Sequence, residues 1–104
     1  MPEDKVSSEV ARIYLRDVEP MWKAFWFHMH LVAKNLEEFA AGMDQISDDI
    51  FAYHASGQKN DLAAWVQEVI GDSVLARRLE TVSSKAETAR VLHERVAELQ
   101  RAAG

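Results

Sequence analysis

The sequence predicts an all-α fold, a compact bundle of about five or six short-to-medium helices. Three observations predict it. Apolar residues recur at helical spacing through most of the chain. Helix-start signals precede nearly every such stretch. No two segments read together as paired strands.

Taken in order, residues 7–19 form the first expected helix. Ser7 or Ser8 caps it, Glu9 suits its positive end, and Val10, Ile13 and Tyr14 share a face. Pro20 ends or kinks it, because the residue before a proline is pushed away from helical angles. From Trp22 an apolar stripe continues through Phe25, Trp26, Met29, Val32, Ala33, Leu36, Phe39, Ala40, Met43, Ile46, Ile50 and Tyr53. Two signals divide it. Asn35 and Glu38 have the spacing of a capping box, and Ser47-Asp48-Asp49 is a second start with acids in its first turn. Helices are therefore expected near 21–33, 36–45 and 48–55, with the first two open to being continuous.

The segment ASGQKN, residues 55–60, is the clearest loop. Asn60 caps a helix through DLAAWVQEVI, with Leu62, Trp65, Val66, Val69 and Ile70 as its buried face, and Gly71 closes it. Asp72 or Ser73 caps the next helix, which ends near Val82. Ser83 or Ser84 opens the last, an amphipathic helix over 84–103 with Ala89, Leu92, Val96 and Leu99 on one side and an Arg90–Glu94 pair on another. The expected core is Trp22, Phe25, Trp26, Met29, Leu36, Phe39, Met43, Ile50, Trp65, Val69, Leu75 and Leu79.

Composition bounds the chemistry. A chain of 104 residues, 48% apolar and 28% charged, has the length and make-up of one globular domain. The absence of cysteine excludes disulfides, thiolate metal sites and thiol catalysis. A net charge of −5 argues against binding phosphate backbones, which calls for a basic surface. The opening MPEDKVSS lacks the basic and apolar regions of a secretory leader, and no apolar run approaches the ~20 residues that span a bilayer. The expectation is a soluble cytoplasmic protein.

The stretch AFWFHMH, residues 24–30, raises the question of a metal site. In a strand, His28 and His30 face one side; in a helix they diverge by about 200°. The helical stripe runs through this stretch and no partner strand is evident, so it reads as a core helix with histidines at its margins. A metal site would use His28, His30 and His54. His54, before the ASG loop, also suits the negative end of a helix. A ligand-binding alternative places His54, Asn60, Asp61 and Trp65 around one loop-edge pocket.

Other chemistry finds less support. The serines sit at cap positions and none lies in a GxSxG pattern. Glu37-Glu38 and Asp48-Asp49 are adjacent on helices and so do not face one another. The isolated glycines form no phosphate loop. No catalytic residue and no cofactor is assigned. The stretch WVQEVIGDSVLARRL has the outline of a helix-hairpin-helix, but Val69 stands where that motif has its first glycine. Arg77 and Arg78 are the single adjacent basic pair, so nucleic acid is not the expected partner.

The run FAYHASGQKNDLAAWVQEVIGDSVLARRL resembles a small, poorly characterised domain of bacteria and archaea. The elements that carry the resemblance are Phe51, Tyr53 and His54; Lys59, Asn60, Asp61 and Leu62; Trp65; and Gly71, Asp72, Leu75 and Ala76. Upstream, FWFHMHLVAKNLEEF is similar to the same family's aromatic run and Leu-Glu-Glu-Phe helix start, so the likeness covers residues 25–79. Leu62 stands where an aromatic is common. The resemblance implies a compact, mainly helical domain and carries over no activity.

The functional expectation is a non-enzymatic protein–protein interaction or scaffolding module, acting on a protein partner or by self-association. Three tryptophans and four phenylalanines are a heavy aromatic load for this length, and such residues recur at interface hot spots. The terminal amphipathic helix is expected to pack by its Leu92–Val96–Leu99 stripe either onto the core or onto a partner, as a further docking element. The alternative is a small metal- or ligand-sensing domain using His54 with His28 or His30.

Overall fold

A computed structural model describes residues 6–56 and 59–104. Six helices dominate: α1 Ser8–Leu15, α2 Leu36–Gln45, α3 Asp48–His54, α4 Asp61–Trp65, α5 Ser73–Glu80 and α6 Lys85–Ala103. The fold is helical-dominant but not purely α. Strands β1 Phe25–His28 and β2 Leu31–Ala33 form an antiparallel hairpin, and two short strands, β3 Ala55–Ser56 and β4 Lys59–Asn60, pair across the next loop. The centre of that loop, residues 57–58, lies outside the described residues. The radius of gyration, 13.0 Å, is that of one compact domain of this length.

The helix starts lie where the cap residues place them. Side-chain oxygens of Ser7, Asn35, Ser47, Asn60, Asp72 and Ser84 each accept from the main-chain N–H three residues on. Glu38 does reach back, although to the Lys34 N–H (3.0 Å), one residue before the cap. Gly71 takes a φ of 92°, the left-handed conformation that closes the helical stretch ahead of it. That stretch widens from α4 into a π-turn over Val66–Ile70, where the Gly71 N–H reaches back to the Val66 carbonyl.

Two expectations are corrected. The first helix stops at Leu15 rather than at Pro20. Residues 16–19 are a strap, with Val18 buried and its N–H donating to the Lys34 carbonyl at 2.7 Å. The helix expected over 21–33 is instead a single 3₁₀ turn, Met21–Lys23, and the β1–β2 hairpin. Its partner strand comes from the same chain, immediately downstream. Phe25 and Phe27 point inward while Trp26 and His28 point out, an alternation of period two that the overlapping helical stripe conceals.

The core changes accordingly. Phe25, Leu36, Phe39, Met43, Trp65, Leu75 and Leu79 are buried as expected, and Ile50 and Val69 are half-buried. Trp22, Trp26 and Met29 are exposed, and Phe27 takes the inward place instead. Phe27 stacks on Phe39 with centroids 5.5 Å apart, directly over Gly42 of α2. A Cβ at Gly42 would collide with the Phe27 ring, so this helical glycine permits the hairpin to lie close on α2. The apolar stripe of α6 packs on α1 and α2, with Leu92, Val96 and Leu99 in the chain's own core. That occupies the stripe expected as a docking element.

A buried ion pair joins α5 to α6. Asp72, fully buried, accepts from Arg95 Nε at 2.8 Å and from Nη2 at 3.0 Å, while its Oδ1 also caps α5 through the Leu75 N–H. Arg95 is 1% exposed and also donates to Glu98, which accepts from Arg78 as well. Burial works to strip the Arg95 charge, but Asp72 and Glu98 outweigh it and raise its pKa. Burial likewise pushes the Glu98 carboxyl up, and donation from Arg95 and Arg78 outweighs it, holding Glu98 below its ordinary value of 4.5.

Two outcomes follow from this network. Asp72→Asn keeps a capping oxygen but removes the fully buried counter-charge of Arg95, whose carboxylate partner Glu98 lies nearer the surface. It should cost about 3–5 kcal/mol and lower Tm by roughly 12 °C or more in thermal denaturation. Glu98→Gln should destabilise at neutral pH. Because the folded pKa of Glu98 is depressed, its contribution is present above about 4.5 and is lost as pH falls through the lower folded value. In urea titrations the gap between wild type and variant should therefore close in acid.

Candidate functional site

Of the residues that sequence reasoning singles out, His54 and Asp61 come together. His54 ends α3, is buried, and lies edge-on to Phe25 with centroids 4.9 Å apart. Phe25 also meets Phe39 at 5.0 Å and Trp65 at 5.9 Å, so the imidazole is part of an aromatic cluster under the hairpin. Its Nδ1 lies 3.2 Å from Asp61 Oδ2 and its Nε2 lies 3.1 Å from the Phe27 carbonyl oxygen. Both partners are acceptors, and the doubly protonated ring is the form that donates to both. Lys59 Nζ donates to the Tyr53 carbonyl at 2.9 Å, lies over the Tyr53 ring and comes within 3.7 Å of Asp61.

This geometry decides what the His–Asp pair can do. In a general-base arrangement the carboxylate orients one ring nitrogen and the other faces a nucleophile or substrate. Here the second nitrogen faces a main-chain carbonyl inside the core. The pair ties the end of α3 to β1 and to the start of α4.

The other two residues point elsewhere. Asn60 caps α4 through the Ala63 N–H (3.0 Å), and its amide reaches the Leu79 carbonyl at 3.4 Å. Trp65 donates from Nε1 to the Lys23 carbonyl at 2.7 Å, anchoring the 3₁₀ turn that precedes β1. Asn60 lines a shallow groove of about 240 Å³ with Arg77 and Glu80. Trp65 lines a different one, of about 340 Å³, with Arg16, Glu19, Trp22 and Glu68. Of these two grooves, Asn60 lines one and Trp65 the other.

No family model matches the chain, and no curated protein or solved structure matches it. The motif residues must therefore be read from their contacts. Asn60, Trp65, Gly71 and Asp72 each have a structural task described above, as has His54.

The metal candidates separate in the same way. His28 and His30 are exposed at the hairpin turn, with ring centroids 6.4 Å apart, whereas His54 is turned inward. Among the described residues no group of three His, Cys, Asp or Glu side chains is placed to hold a metal ion. Of the basic pair, Arg78 is held by Glu98 and Arg77 is exposed beside Glu80.

What sequence reasoning missed is the outer surface of the hairpin. Trp22 is 75% exposed, Met29 80%, Met21 54% and Trp26 47%. These are four of the six large apolar side chains exposed among the described residues, and they fall within nine consecutive positions. Trp26 Nε1 donates to the Met21 carbonyl (3.3 Å), which holds the Trp26 ring beside the 3₁₀ turn. The signal that would have found this surface is the alternation Phe25-Trp26-Phe27-His28.

Replacing His54 tests the internal role. His54→Phe retains the ring contact with Phe25 but leaves the Phe27 carbonyl unpaired, and should cost about 1–3 kcal/mol in urea denaturation. Asp61→Asn should cost less than about 1 kcal/mol, because that carboxylate is partly solvated. The reverse order would contradict the assignment.

Proposed function

We propose that this domain is a non-enzymatic protein–protein interaction or scaffolding module of the cytoplasm, and that its contact face is the outer side of the β1–β2 hairpin with the 3₁₀ turn before it. The observation that carries the reading is the exposure of Met21, Trp22, Trp26 and Met29 together. Single exposed apolar residues are ordinary, but two tryptophans and two methionines exposed within nine positions are residue types that protein contacts use. Burying such side chains against a partner removes apolar area from water at roughly 25 cal/mol per Å². The groove between Trp22 and Trp65 extends this surface toward α1 and the π-turn.

The partner is another protein or a second copy of the chain. No helix among the described residues is long and apolar enough to cross a membrane. Sensing through His54 together with His28 or His30 has less support, since both His54 nitrogens already face acceptors, the Asp61 carboxylate and the buried Phe27 carbonyl.

The test is a paired variant, Trp22→Ser with Met29→Ser. Both side chains are exposed, so the circular dichroism spectrum and Tm should stay close to those of wild type. Light scattering over a concentration series should show self-association that the variant loses, or chemical crosslinking in cells should trap a protein that the variant no longer traps. Identical masses and identical crosslinked species for the two proteins would overturn the proposal.

A further inference from the structure

His28, Met29 and His30 follow one another around the hairpin turn, and all three are exposed. We infer that this turn is a binding site for a soft monovalent metal ion, copper(I), held by the two imidazoles and the Met29 thioether. The inference does not depend on the interaction reading.

The two rings lie just beyond the separation that one ion requires. Two imidazoles bound to one ion through bonds of about 2.0 Å have centroids roughly 5 Å apart at a tetrahedral angle and about 6 Å apart when opposed. The observed separation is 6.4 Å, with the planes inclined at 66°. Both rings are at the surface, so small rotations about their side-chain bonds close the remaining distance.

The His28 Nδ1 accepts from the His30 main-chain N–H at 3.1 Å, so an ion at that nitrogen must displace this bond. An ion at Nδ1 takes the place of the amide proton, and the freed N–H of an exposed turn is hydrated.

The donor set selects the metal. Imidazole serves zinc, nickel and copper alike, whereas a thioether is a soft ligand that favours copper(I). Met29, 80% exposed and flexible, can swing to the ion without disturbing the core. Zinc sites are usually completed by further imidazole or carboxylate ligands, and among the described residues no such group of three gathers here. His54 takes no part.

The experiment is a titration of the full chain with copper(I), kept reduced by ascorbate under anaerobic conditions, in competition with a chromophoric copper(I) chelator. The expected result is one bound equivalent, weakened by about tenfold or more in His28→Gln and in His30→Gln. Met29→Leu should weaken copper(I) binding while leaving any weak zinc binding unchanged. His93→Gln, on α6 and paired with Asp44, should bind as wild type does. All four variants alter exposed side chains, and unchanged Tm values establish that each is folded. Failure of the wild type to compete, or equal affinity in the His28 and His30 variants, would overturn the site. Equal copper(I) affinity in Met29→Leu would overturn the selectivity for copper(I).

Discussion

The fold depends on the buried pair between Asp72 and Arg95. It acts at two levels, since the same carboxylate caps α5 and receives the guanidinium that projects from the middle of α6. A charge so deeply enclosed is tolerated only with its partner in place, and the alignment of the two helices is fixed by the need to keep it there. Glu98 and Arg78 extend the network toward the surface. With α6 held in this register, Leu92 and Leu99 meet α1 and α2, and the platform on which the hairpin lies is complete.

On that platform large apolar side chains occupy both sides of the hairpin, Phe25 and Phe27 inward and Trp26 outward. His54 lies beneath β1, donating to the Phe27 carbonyl, while Trp22, Trp26 and Met29 stand in water. The arrangement is consistent with a rigid support beneath an adaptable surface. Phe25, Phe27, Phe39 and Trp65 lock the inner face through edge-to-face, tilted and stacked ring contacts, and Gly42 lets it approach α2. An outer face of aromatic and thioether side chains on such a support can contact a partner without reordering the backbone beneath it.

Much of this was legible in the sequence because it rests on local chemistry. Each cap residue announces its helix within three positions, and Gly71 announces an end by the conformation that it alone accepts readily. The hairpin was not legible for an equally physical reason. Trp22, Phe25, Trp26 and Met29 satisfy a helical period while Phe25 and Phe27 satisfy a strand period, and the turn His28-Met29-His30 lacks the Asn-Gly or Asp-Gly pair that marks a hairpin. Burial at Gly42, twelve residues beyond the turn, decides between them, and that is a tertiary contact. The Asp72–Arg95 pair was hidden likewise, since 23 positions separate its members. The exposed face was missed because the large aromatics were assigned to the core by type, before their direction was known.

The proposed contact face is the outer side of the hairpin, and the His54–Asp61 and Asp72–Arg95 ties serve the fold. Oxidative footprinting of the protein inside cells, compared with the purified chain, addresses it most directly. Trp22, Trp26 and Met29 should label readily in the purified chain and be protected in cells, with α6 labelled equally in both. Equal labelling of the hairpin in both settings, with protection appearing on α6 or around Tyr53, would contradict it.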